Sequence, residues 1–182
     1  RVTGVINTSD TQGQGGEVQV LGDRVELVGA QIHADGATGG GTILIGGGVK
    51  GQGTDVNATT TWMDSASILT ADATQNGNGG TAVLWSDGVN LFSGEISVRG
   101  GPEGGNGGFV EVSGDHLGYY GQVDLSAPQG KGGSLLLDPR DLRIQAAGPA
   151  IITGVDEFTD SPNTDTIIGV GTITNILKTG GN

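Results

Sequence analysis

GGFVEVSGDHLGYYGQVDLSAPQG (107–130) holds three short runs of alternating apolar and polar residues, each closed by glycine or a glycine-containing turn. Strict alternation marks a half-buried strand, and glycine marks the turns between strands. The pair Gly107-Gly108 opens the first run. The same opening recurs in GGEVQVLG (15–22), GGTILIGG (40–47), GGTAVLWS (79–86) and GGSLLLDP (132–139). The second glycines fall at 16, 41, 80, 108 and 133, giving steps of 25, 39, 28 and 25 residues. Three short strands in each 25-residue unit make one triangular coil of a parallel β-helix. The fold class is therefore all-β, a β-solenoid, with one interval lengthened by about a dozen residues. A sandwich would instead require long hairpins with two-residue turns.

The repeat predicts columns of stacked residues, one coil above the next at about 4.8 Å. Val18, Ile43, Ala82, Val110 and Leu135 form one inward column, and Val20, Ile45, Leu84, Val112 and Leu137 a second. The other faces are expected to turn Val25/Leu27, Ile32/Ala34, Val89/Leu91 and Ile96/Val98 inward. Between the first two columns runs an outward one: Gln19, Leu44, Val83, Glu111 and Leu136. Three of these five are apolar. Either they are scattered surface residues, which are ordinary, or this face is covered by the 49–78 insertion, the C-terminal tail or another chain. Leu44, Val83 and Leu136, with Trp62, Trp85 and Phe109, make the candidate interaction surface. The glycine pairs are read as corners at which glycine, and Asn106 beside them, takes φ > 0.

Coils span 1–144. Within them 49–78 fits the period poorly and reads as an irregular coil or an excursion, with 67–71 (SILTA) returning as a strand. The glycine-pair phrase stops after 142–144, and 145–182 forms a tail that adds strands, packs alongside or meets a partner. The chain opens at Arg1 with no signal-peptide pattern, so a fragment or a processed product is expected.

Composition narrows the function. Twenty acidic residues against eight basic give a net charge of −12, which disfavours nucleic acid and anionic membranes, since both need a basic footprint. No run of about 18 apolar residues exists to span a membrane. There is no cysteine, so no disulfide holds the fold.

Motifs for chemistry are sparse. GGGVKG (46–51) matches the dinucleotide pattern, but GTDVNATTT follows it where a phosphate-facing helix is needed. The two histidines, His33 and His116, lack metal-ligand spacing. No cofactor is expected; weak Ca2+ binding by Asp35, Asp72, Asp87 or Asp115 is the one metal reading left open, against ordinary solvated aspartates. Some β-helices are polysaccharide lyases with carboxylates and a basic residue gathered on one face. Here Arg99, Arg140 and Arg143 are expected at different corners, with no column collecting two acids and a base. The chain is read as a non-enzyme, with no catalytic residue. Trp62, Trp85, Phe92, Phe109, Tyr119 and Tyr120 could build a sugar-stacking face, although core packing is the commoner use.

ILTADATQNGNGGTAVLWSDGVNLFSGEISVRGGPEGGNGGFVEVSG (68–114) and VDLSAPQGKGGSLLLDPRDLRI (123–144) resemble segments of bacterial filamentous-haemagglutinin-like exoproteins, the secreted partners of two-partner secretion systems. The stretch IHADGATGGGTILIGGGVKGQGTDVNATTTWMDSASI is similar to what precedes them in that family. The resemblance covers about 15–145. It implies a right-handed β-helix, export through an outer-membrane partner, and a secreted or cell-surface location. It also implies roles in adhesion, biofilm or surface fibres, with host surfaces or glycans as further partners. Asn-containing recognition motifs of the family's N-terminal secretion domain are not found, so the resemblance points to a piece of the shaft. The open ends of a solenoid add self-association, head to tail, as an expectation. A carbohydrate-binding module is the alternative function, and a polysaccharide lyase ranks after it.

Overall fold

The computed structural model describes residues 1–53, 56–140, 142–145 and 166–169. Three parallel sheets run along one axis, and the chain visits them in rotation. The first sheet stacks β2 (Glu17–Val20), β5 (Thr42–Ile45), β8 (Thr81–Trp85), β11 (Phe109–Ser113) and β14 (Ser134–Asp138). The second stacks β3 (Arg24–Leu27), β6 (Thr60–Met63), β9 (Val89–Phe92) and β12 (His116–Tyr119). The third stacks β1 (Val5–Asn7), β4 (Gln31–His33), β7 (Ile68–Thr70), β10 (Glu95–Ser97) and β13 (Gln122–Asp124). This is the β-solenoid expected from the repeat. Beyond it, β15 (Leu142–Gln145) pairs in parallel with β16 (Thr166–Gly169). The rest of the 145–182 tail lies outside the described residues.

The first sheet keeps the predicted register throughout. Val18 lies beside Ile43, Ile43 beside Ala82, Ala82 beside Val110 and Val110 beside Leu135. Ile32, Leu69, Ile96 and Val123 form the matching column of the third sheet, and all four are buried. Each fully buried Leu, Ile or Val removes enough apolar surface from water to contribute about 1.5–3 kcal/mol. The side chains of these two columns are aliphatic in every coil, so the core they line is continuous along the axis.

The second sheet departs from expectation by one residue. Val25 pairs with Thr61, Thr61 with Asn90 and Asn90 with Leu117. Asn90 and Phe92 therefore face the core, while Val89 and Leu91 face outward. The cause is a corner of unequal length. Val20 to Val25 and Val112 to Leu117 are five positions apart, but Leu84 to Asn90 is six. One extra residue turns every following side chain to the other face. Buried Asn90 uses its amide to donate to Leu84 O at 2.8 Å and Ser113 O at 2.9 Å, tying two coils together. Thr61, also buried, donates to Trp85 O at 2.6 Å.

The glycine pairs have a different cause from the one expected. None of them has positive φ. The reason is the absence of a side chain. A Cβ on Gly108 would lie 2.0 Å from Gly80 O, one on Gly80 2.1 Å from Gly41 O, and one on Gly41 2.0 Å from Gly16 O. In three of the pairs the second glycine also donates its N–H to the buried residue just after a strand of the third sheet: Gly41 to Ala34 O, Gly80 to Ala71 O and Gly108 to Val98 O, at 2.7–2.8 Å. The corner is thus as tight as the coil spacing allows. Asn106 acts as a rung rather than a left-handed turn residue. Its N–H donates to Asn78 Oδ1 at 2.8 Å, and its own Oδ1 accepts from Lys131 N at 2.9 Å.

The long interval is localised. Its added residues fall between β5 and β6, whereas β6 and β7 are ordinary rungs in register with their neighbours. The excursion is therefore narrower than 49–78.

Candidate functional surfaces

The outer face of the first sheet is covered at its centre. After β5 the chain leaves through buried Gly46, Gly47 and Gly48, then makes a single 3-10 turn at Val49–Gly51. Lys50 sits at φ 55°, ψ 33°, and is the one described non-glycine residue with positive φ. That conformation costs a residue with a side chain about 1–2 kcal/mol. Its N–H donates to Glu111 Oε2 at 3.0 Å, across 61 positions of sequence. Ser113 Oγ donates to Glu111 Oε1 at 2.9 Å. Glu111 and Val83 are each 0% exposed, while Leu44 and Leu136 on either side are half-buried. The column is thus covered at its centre, at Val83 and Glu111, where Val49–Gly51 lies beside β8, and is only partly covered at Leu44 and Leu136.

Trp85 is part of the same arrangement. Hypothetical Cβ atoms on Gly47 and Gly51 would lie 2.7 Å and 2.6 Å from its ring, so the indole packs on bare backbone. Its Nε1 donates to Asp87 Oδ1 at 2.7 Å. Trp62 is elsewhere, half-buried on the outer face of the second sheet between Glu26 and Leu91. Phe109 is half-buried at the start of β11, between Thr81 and Ser134. The six candidate residues are thus divided. Leu44, Val83 and Leu136 share one column, Trp85 is pressed against residues 46–53, and Trp62 and Phe109 stand apart.

The third sheet carries a polar column on its outer side, beside one that holds Val5 and Ile68. Asp35 accepts from the next coil through Thr70 Oγ1 at 2.7 Å and Asp72 N at 2.8 Å. Asp72 repeats the device one coil on, accepting from Ser97 Oγ and Arg99 N, each at 2.7 Å. It also accepts from Arg99 Nε at 2.9 Å and Nη2 at 2.6 Å. Arg99 Nε lies 4.0 Å from Asp124 as well. One column does collect two acids and a base, contrary to the sequence expectation, because Asp35, Asp72 and Arg99 stack on consecutive coils, while Asp124 stacks on Ser97. The hydrogen-bonded Asp72 carboxylate holds the Arg99 guanidinium above its ordinary value, against a smaller opposing effect of burial. Asp72 has four donors on its two oxygens, so it has little acceptor capacity left for general-base chemistry. Thr70 gives its hydroxyl hydrogen to Asp35, so His33 Nδ1, 2.9 Å from Thr70 Oγ1, carries the hydrogen of that contact.

The four aspartates considered for Ca2+ are likewise engaged. Asp35 and Asp72 clip coils, Asp87 holds Trp85, and Asp115 pairs with Arg140. Among the described residues no three His, Asp or Glu side chains converge as a metal site would require. No described helix is long and apolar enough to cross a membrane. In the core, burial raises the Tyr119 phenol well above its ordinary value, and its hydroxyl has no partner among the described residues.

No family model and no curated protein matches this chain. Among solved structures, it is similar to the crystal structure of the HMW1 secretion domain from Haemophilus influenzae. Identity is 32% and the TM-score 0.61, over 75% of this chain and 36% of that one. This chain therefore spans little more than a third of that structure. The sequence resemblance points to a shaft, whereas the matched structure is a secretion domain.

Proposed function

We propose that this chain is a rod segment of a secreted bacterial exoprotein, exported through an outer-membrane partner and serving adhesion, biofilm or fibre formation at the cell surface. The observation that carries the reading is the unbroken stacking of the first sheet from β2 to β14, in a chain similar to a secretion domain. A solenoid of this kind presents surface along its length and needs no central site. Among the described residues β2 and β14 end the first sheet, and a sheet edge of this kind supports end-to-end association. Electron microscopy of the purified chain over a wide concentration range tests this, with filaments of stacked coils expected. Isolated monomers throughout would overturn self-association. Beads coated with the chain should bind bacterial or host surfaces, and binding no better than bare beads would remove the adhesive part.

A second reading is a carbohydrate-binding face centred on Trp62, favoured by its outward position beside Leu91 and by Tyr120, 49% exposed, over Gly118. Saturable glycan binding lost on Trp62→Ala would establish it. A blank glycan array would discard it.

A further inference from the structure

We infer that residues 46–53 are a strap that locks onto Glu111 only after the fourth rung of the first sheet has stacked. The strap leaves β5 on the second rung, crosses Val83 and Trp85 on β8, and ends against Glu111 on β11. Its seat does not exist until residues 61 positions downstream are in place. Three features mark it as a docked element rather than a rigid corner. Gly46, Gly51 and Gly53 all have positive φ, at 78°, 65° and 78°. Lys50 holds a left-handed conformation that its own side chain opposes, and such strain persists where surrounding contacts over-determine it. The N–H of that strained residue is the group that meets the buried carboxylate.

Glu111 is the key to the latch. Alternation places it on the outer face, yet it is fully buried. Among the described residues its donors are the Lys50 N–H and the Ser113 hydroxyl. Lifting the strap would leave Glu111 with one of these and open Val83 to water. Leu44 and Val83 would then form an apolar strip that ends at the Glu111 carboxylate, with Leu136 on its far side. The closed strap hides that strip and signals that four rungs are complete. The device does not depend on export or adhesion, so it stands or falls separately from them.

The test uses the whole chain, with amide hydrogen exchange at Lys50 and trypsin cleavage after Lys50 as readouts. Glu111→Gln keeps a carbonyl acceptor for Lys50 and a donor for Ser113, and should stay within about threefold of the parent in both. Glu111→Leu fills similar space without an acceptor. It should speed both by at least about tenfold, with the β-sheet circular dichroism unchanged. A Leu variant as protected as the parent would show packing alone holds the strap, and would overturn the latch. Should the Leu variant fail to fold, exchange in the parent chain decides. The Lys50 amide should open together with amides of β11 as denaturant is added, and exchange at free-loop rates would overturn the inference.

Discussion

On the outer face of the first sheet, Val83 and Glu111 lie fully buried beneath residues 46–53. On the outer side of the third, Asp35 and Asp72 join one coil to the next by side-chain hydrogen bonds, which leave Asp72 and Ser97 buried among their own neighbours. Both faces are built from the same parallel ladder and the same coil spacing. The difference lies in the outward side chains. Apolar residues cannot satisfy one another's exposure across about 4.8 Å, so they need a lid supplied by extra chain. Short carboxylates and hydroxyls can reach the N–H and O–H groups of the coil above, so the third sheet stabilises itself without added sequence.

The comparison can be broken by five substitutions. Asp72→Ala should have the largest effect, a loss of about 3 kcal/mol in urea unfolding, because four donors lose one acceptor. A loss under about 1 kcal/mol would mean that the clips are incidental. Val83→Ala should cost about 2 kcal/mol, since it empties a sealed space under the strap. At an exposed position of the third sheet, Glu95→Ala should stay within about 0.5 kcal/mol, and equal effects would erase the distinction between covered and exposed positions. Arg99→Gln should cost at most about 1 kcal/mol, because the guanidinium is half-exposed and screened while the Arg99 N–H and Ser97 hydroxyl still hold Asp72. Lys50→Gly should raise stability slightly, by about 0.5 kcal/mol, as relief of the left-handed side chain exceeds the added backbone entropy. A loss there, measured in the same unfolding assay, would mean that the Lys50 side chain itself helps to hold the strap.

Much of the architecture was legible in the sequence because each glycine pair sets the phase of the strand after it. Val18 through Leu135 and Val20 through Leu137 follow a pair at a constant offset, so their columns could be written down at once. The second sheet has no such marker. Its phase depends on corner length, and the one extra residue between Leu84 and Asn90 sent Asn90 inward and Leu91 outward. The burial of Glu111 was illegible for another reason. Alternation tells which face a residue takes, but not whether that face is covered, and the strap comes from 61 positions away. The acid–acid–base column of Asp35, Asp72 and Arg99 stayed hidden because steps of 37 and 27 residues in the third sheet had to be known before those positions could be stacked. The glycine pairs do mark corners, but their necessity comes from carbonyls 2.0–2.1 Å from the Cβ positions rather than from φ.

The added chain between β5 and β6 enlarges one loop while leaving Ile45 beside Leu84 and Met63 beside Phe92. Pitch and register do not depend on the length of that corner. A foreign peptide grafted between Gln52 and Gly53, both exposed, would thus be carried on the flank of the rod with its coils undisturbed. Copies of the 25-residue cassette could then space several such cargoes along the axis, about 4.8 Å for every coil between them.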